Sequence, residues 1–293
     1  MQVFITGASG FIGLPLVKEL LTAGHRVLAL VRSDNSAQLL AAAGAMVQRG
    51  TLDELQALQD GAAQSDAVVH LAFGTDYANF SEICDADVRA IQAIGTAISG
   101  TDKPFIVPNG LAGIAPGRVV TEDDALPADY AFPRRSESEA LRLAREGVNA
   151  MVIRLAQVHD TARQGLVTPL IALARNTGVS AYVNDGANRW PAVHISDTVR
   201  LFQQVLEMPR RGGIFHAVAE SGVTLRLIAE AIGKATDMPT QSIAGEDAQR
   251  HFGPFAQFVV QDMPATSVRT RDELNWQPAG PSLVHDLGQL ASH

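Results

Sequence analysis

An apolar strand pattern over residues 2–6 runs directly into Thr6, Gly7, Ala8, Ser9, Gly10, Phe11, Ile12 and Gly13, and a helical pattern follows at once. No other stretch limits the fold so tightly. Gly7 can turn where a side chain would clash, Gly10 lets a backbone approach an anion, and Gly13 leaves room for the helix to pack on the sheet. The first amides of that helix lack internal partners and carry the positive end of its dipole, so they suit a diphosphate. Glycines at this spacing carry weight here because a strand precedes them and a helix follows. The motif predicts a bound dinucleotide.

The rest of the first half keeps the same rhythm. Strands are expected at 2–6, 26–31, 45–48, 67–71, 104–108 and 149–154, and helices near 11–23, 35–43, 52–60, 81–99 and 134–146. Such alternation calls for an α/β fold, a doubly wound parallel sheet with helices on both faces and ligand at the carboxyl ends of the strands. Pro15 falls early in the first helix, where amides lack partners anyway. After Arg154 the pattern loosens. Residues 161–181 read as helix and loop, 197–207 as a helix, 214–218 as a strand, and 224–236 as a helix capped by Thr224. The expected division is a dinucleotide-binding domain over 1–160 and a smaller C-terminal substrate-binding lobe over 161–293, with about 190–218 packing back on the sheet.

Composition narrows the partners. A 293-residue chain that is 46% hydrophobic can bury a large core. Its formal charge of −8 argues against nucleic acid or an anionic membrane and leaves a small-molecule substrate. Cys84 is the single cysteine, so no intrachain disulfide forms, and a buried apolar role suits it. The eight histidines show no paired metal spacing. No leader-like segment is read ahead of Val3 and no apolar run reaches the ~18 residues of a spanning helix, so the expected location is the cytoplasm.

The end of the second strand addresses the kind of dinucleotide. An NAD site places a carboxylate there for the ribose 2′-hydroxyl; this chain has Val31, then Arg32 and Ser33. A guanidinium can take a 2′-phosphate bidentately, which favours NADP, while the nearby Asp34 keeps NAD open.

With these residues read, the chain resembles an extended short-chain dehydrogenase/reductase (Rossmann fold) of the NAD-dependent epimerase/dehydratase group. The glycine segment matches that group's TGxxGxxG. HLAF at 70–73, FIVPNGLAGI at 105–114, VIRLAQVH at 152–159, VHISD at 193–197 and ELNWQP at 273–278 resemble its later segments in order. The resemblance implies cofactor contacts at Gly7, Ser9, Gly10, Phe11, Ile12, Gly13, Arg32, Ser33, Leu52, Leu71, Ala72, Phe73 and Arg135, and a homodimer through helices 81–99 and 134–146. It also implies a Tyr as general acid or base, a Lys four residues later, and a Ser or Thr on strand five.

The chain departs from that triad, as atypical members do. Tyr-x-x-x-Lys is absent: the region reads Tyr130, Ala131, Phe132, Pro133, Arg134, Arg135, Ser136, Glu137. One register pairs Tyr130 with Arg134. The other puts Ala131 at the Tyr place and Arg135 at the Lys place, and it is preferred because Pro133 suits a helix start and leaves Tyr130 in the preceding loop. Arg can hold a ribose but cannot relay a proton. Asn109 stands where the group has serine; it can donate a hydrogen bond to a substrate oxygen or a carboxamide, or serve as a turn residue. His159 suits proton transfer, or is a buried histidine bonded to backbone or Asp160; His194 more simply ties the lobe to the sheet. Arg189, Trp190 and the phenylalanines at 252, 255 and 258 can line a substrate pocket or form core.

The expected catalytic set is therefore Tyr130, Asn109, Arg135 and His159. The expected activity is an NAD(P)-dependent oxidoreductase, favouring NADPH, on a small to medium apolar carbonyl or alcohol. The alternatives are a non-catalytic NADP(H)-binding redox sensor, or an epimerase or dehydratase with tightly held NAD(P).

Overall fold

The computed structural model describes residues 1–74, 79–128, 130 and 132–290. The elements run β1 (Gln2–Thr6), α1 (Gly13–Thr22), β2 (Arg26–Val31), α2 (Asp34–Ala42), β3 (Met46–Arg49), α3 (Leu55–Ala63), β4 (Ala67–His70), α4 (Phe80–Ile98), β5 (Phe105–Gly110), α5 (Ser136–Arg145) and β6 (Ala150–Leu155). Then follow β7 (Gln157–His159), α6 (Val167–Thr177), β8 (Ser180–Val183), β9 (Arg189–His194), α7 (Ile195–Glu207), β10 (Ile214–Ala217), β11 (Glu220–Thr224), α8 (Leu225–Thr236) and β12 (Thr240–Ile243). Four short helices close the described chain: α9 (Ala248–Phe252), α10 (Ala256–Val259), α11 (Val268–Leu274) and α12 (Leu283–Leu287).

Seven strands form one parallel sheet in the order β10-β6-β5-β4-β1-β2-β3. Both faces of that sheet are covered, which is why its strands are apolar at successive positions rather than at every second one. Val3 and Ile5 of β1 pack with Leu16, Val17 and Leu20 of α1 and with Val199 and Phe202 of α7. Phe4, pointing the other way, packs with Leu58 of α3 and Ile91 and Ile94 of α4. The strand order reverses between β1 and β4, which opens a crevice at their carboxyl ends. Pro15 is the third residue of α1, inside its first turn.

A second apolar core joins α6, α8, β8 and the phenylalanines of the 252–258 region around Trp190 and Leu283. Trp190 and Phe252 are buried in it, so they serve as packing. Two small sheets, β11-β9-β7 and β12-β8, run through this part. The 184–191 cluster of Gly, Pro, Asn and Asp gives no strand signal, yet β9 begins at Arg189 and carries Pro191 in the middle strand of its sheet. The register against β11 shifts there, between Trp190↔Val223 and Ala192↔Glu220, and such an irregularity admits a residue with no amide to donate. Helix α8 starts on Thr224, whose hydroxyl accepts from the Leu227 amide at 3.3 Å. Among the described residues no helix is long and apolar enough to cross a membrane.

Candidate functional site

A cleft of about 610 Å³ lies at the reversal point of the sheet. Gly7, Ser9 and Gly10 line it together with Arg32, Ser33, Leu52, Leu71, Ala72 and Phe73. Residues named from four separate segments of the sequence thus meet in one place. Gly7 has φ +69°, and a Cβ there would lie 2.6 Å from the Ala72 amide nitrogen. A Cβ on Gly13 would lie 2.1 Å from the Gly7 carbonyl oxygen. The loop is therefore closed against β4 and α1 by two positions that admit no side chain. Ile12 is the N-cap of α1 and no side chain caps that helix; the Leu14 amide donates to the Gly10 carbonyl at 3.1 Å and Pro15 has no amide hydrogen, so the Gly13 amide, at the positive end of the helix dipole, is the α1 donor left for an anion. This is the cradle a diphosphate requires, and the residues fit it.

At the far end of β2, Ser33 accepts from the Ser36 amide and caps α2. Asp34 does not line the cleft; it pairs with Arg49 at the exposed edge of the sheet. Arg32 and Ser33 line the cleft at the end of β2, with Ser36 and Asp53 also on its wall.

Beside this cleft is an apolar pocket of about 390 Å³, and Phe73 belongs to the walls of both. Phe11, Ile12, Phe132, Phe258 and Met263 line it, with Tyr130, Asn109 and Arg134 among the polar residues. Phe132 and Phe258 stack with centroids 6.0 Å apart. The Tyr130 hydroxyl donates to the Ala112 carbonyl at 3.1 Å. Burial, aided by the Glu137 carboxylate, pushes the Tyr130 pKa up to about 12. The Arg134 guanidinium lies 4.1 Å from the Phe73 ring centroid.

A buried polar chain links the two sites, with Asp87 on the wall of the glycine cleft and Arg134 on that of the apolar pocket. Thr6 Oγ1 meets His70 Nδ1 at 2.7 Å, and His70 Nε2 meets Asp87 Oδ1 at 3.1 Å. Ser136 Oγ donates to Asp87 Oδ2 at 2.6 Å and accepts from Arg134 Nε at 2.9 Å. Burial acts to raise the Asp87 pKa, but the His70 hydrogen bond and charge, the Arg134 charge and the Ser136 hydrogen bond hold the carboxyl below its ordinary value. Thr6 and His70 fall within the TGxxGxxG and HLAF segments, where no role is read for either, and Asp87 and Ser136 are given none by the sequence. They sit one per element, on β1, β4, α4 and α5, and only the folded sheet brings them together.

Three of the four residues expected to be catalytic are placed otherwise than the sequence suggests. Helix α5 starts at Ser136, two residues later than expected, so Arg134 and Arg135 precede it and helical spacing does not orient them. Arg135 turns outward to Asp85, its side chain 58% exposed, whereas Arg134 enters the pocket. Ala131, at the Tyr place of the preferred register, lies outside the described residues. Asn109 is on the pocket wall but only 1% exposed, and one of the two Nδ2 protons goes to Glu137 Oε2 at 3.1 Å, so a single N–H and the buried Oδ1 remain. His159 is fully buried and bonded through Nδ1 to Asp286 at 2.7 Å, away from the pocket lining, with desolvation lowering its pKa despite that carboxylate. It ties β7 to α12. His194 caps α7, its Nδ1 accepting from the Ser196 amide. Arg189 pairs with Asp262, and of the three candidate phenylalanines Phe258 reaches the pocket.

The fold, the glycine cradle and the adjoining pocket define an extended short-chain dehydrogenase/reductase, of the atypical kind without Tyr-x-x-x-Lys. Residues 3–98 match the model of the NAD dependent epimerase/dehydratase family. An uncharacterized protein of Schizosaccharomyces pombe is 42% identical over 99% of this chain and 99% of its own. The decarboxylating sterol-4-alpha-carboxylate 3-dehydrogenase of Dictyostelium discoideum is 39% identical, covering 77% of this chain and 73% of that enzyme. Among solved structures, dTDP-glucose 4,6-dehydratase from Streptomyces venezuelae, with NAD and TYD bound, superimposes with a TM-score of 0.75 at 20% identity, over 99% of this chain and 95% of that one. At that identity the likeness concerns the fold. The chain belongs to the NAD-dependent epimerase/dehydratase family.

Proposed function

We propose that the chain is an NADP(H)-dependent oxidoreductase that interconverts an apolar carbonyl compound and its alcohol. The observation that carries this reading is the shared wall: Phe73 lines both the glycine cleft and the apolar pocket, so a dinucleotide in one ends beside a substrate in the other. When bound, the nicotinamide supplies or accepts the hydride. The glycine loop and the positive end of α1, with its Gly13 amide, would hold the diphosphate, and Arg32 with Ser33 the 2′-phosphate. The phenylalanines exclude water and favour a flat apolar substrate. Arg134 faces the charge that develops on the substrate oxygen, and the Tyr130 hydroxyl, whose one proton goes to the Ala112 carbonyl, would turn from that carbonyl to the substrate oxygen to supply it.

Two outcomes follow. In Arg32→Glu the NADPH/NADH affinity ratio, measured by cofactor fluorescence, is expected to fall by about 10–100-fold, because a charge-assisted bond is replaced by repulsion. An unchanged ratio removes Arg32 from the 2′-phosphate site. For Tyr130 the sign is set by its raised pKa: the proton-donating form persists below about 12 and is lost only above it. Reduction of 9,10-phenanthrenequinone by NADPH should therefore keep a level kcat/KM from about pH 6 to 9, and Tyr130→Phe should lower kcat by about 100-fold. A descending limb centred in that range, or wild-type turnover in the phenylalanine variant, rejects Tyr130 as donor. Cofactor binding without turnover on any aldehyde, ketone or quinone would favour a redox sensor instead.

A further inference from the structure

We propose that Ser136, backed by the buried Asp87 carboxylate, is the positioning residue that holds the Arg134 guanidinium in the apolar pocket. What Arg134 does for a substrate rests on the oxidoreductase reading; how it is held rests on geometry alone.

An arginine on a loop ahead of a helix has many rotamers, and its usefulness beside a reacting oxygen depends on fixing one of them. Here the fixing is directional. The Ser136 hydroxyl has one proton, and it goes to Asp87 Oδ2 at 2.6 Å. Its lone pairs therefore face the Arg134 Nε–H, which arrives at 2.9 Å. Arg134 Nη2 also donates to the Pro108 carbonyl at 3.0 Å, at the carboxyl end of β5, and its plane lies over Phe73. Asp87 is itself held, because its other oxygen meets His70 Nε2 at 3.1 Å, and His70 is anchored on Thr6 in the strand that leads into the glycine loop. Ser136 and Asp87 are 0% and 2% exposed, so water does not compete for these bonds. The carboxylate polarises the hydroxyl, and the hydroxyl passes that negative potential to the guanidinium whose Nε–H it accepts. A serine at the first position of α5 could serve merely to pin α5 on α4, which would leave Arg134 indifferent to its loss.

The experiment separates the two. In ¹⁵N-labelled protein, exchange of the Arg134 Nε–H with solvent is followed by NMR, and affinity for 9,10-phenanthrenequinone and for NADPH is measured on the same samples. Ser136→Ala is expected to speed that exchange and weaken quinone binding, each by about 10-fold, with NADPH affinity within about twofold of wild type. Ser136→Thr, which keeps the hydroxyl, is expected to restore both. Asp87→Asn, which keeps the volume and removes the charge, is expected to repeat the exchange result, and it carries the comparison if Ser136→Ala does not fold. Wild-type exchange and quinone affinity in Ser136→Ala would overturn the proposal. If the unaltered protein neither binds nor reduces the quinone, the oxidoreductase reading fails, while the exchange measurement still decides how Arg134 is held.

Discussion

Replacing Arg154 with methionine is expected to destabilise the fold by about 3–5 kcal/mol, measured as the shift in urea unfolding. Arg154 stands on β6 with 0% exposure, as does Glu137, its partner on α5. Its Nε and Nη2 engage the two carboxylate oxygens of Glu137, at 2.8 and 2.5 Å. Nη2 also donates to the Asp124 carbonyl at 2.6 Å, and Nη1 to Thr121 at 3.3 Å. Removing the cation alone leaves a carboxylate in a dry interior with Asn109 Nδ2 as its remaining donor among these groups. The double variant Arg154→Met, Glu137→Leu should recover most of the loss, since a buried pair repays little beyond its own desolvation. A single variant no less stable than the double would show that Glu137 finds another way to lose its charge.

Gly7→Ala is expected to weaken NADPH binding by at least about 100-fold, from the combined loss of a left-handed turn and of close backbone approach. At φ +69° an alanine is strained before any contact is counted, and its Cβ would stand 2.6–2.8 Å from the backbone of Leu71 and Ala72. Both neighbours are main chain, so neither can step aside as a flexible side chain would. The loop must move, and with it the amides of Ser9 and Gly10. Titration of cofactor fluorescence reads the effect; affinity within about tenfold of wild type would show that the turn is not what shapes the cleft.

What the sequence discloses and what it withholds divide along physical lines. The inner strands of the parallel sheet are legible because each is a short apolar run between turn signals, and the glycine cradle because its spacing is dictated by backbone sterics. Arg32, Ser33 and Phe73 follow from strand ends. β9 is hidden because Pro191 and the preceding turn residues argue against a strand, and only the register shift opposite β11 makes it admissible. The choice between Arg134 and Arg135 is hidden for a different reason. Adjacent arginines ahead of a helix are distinguished by the partners that capture them: Ser136, two residues on, and the distant Pro108 carbonyl for one, and the distant Asp85 for the other. His159 misleads by its place directly after the pocket-lining Gln157 and Val158; its imidazole is captured by Asp286 of α12 instead.

The order of strands in the main sheet also sets how this chain can be assembled as it is made. β1 is synthesised first and sits in the interior, and β2 and β4 join it on either side. The remaining strands are laid outward from that seam, and the last, β10, pairs with β6 only after more than fifty intervening residues have emerged. Until then β6 presents a bare row of peptide groups to the surroundings, and the nascent polypeptide must keep that border covered.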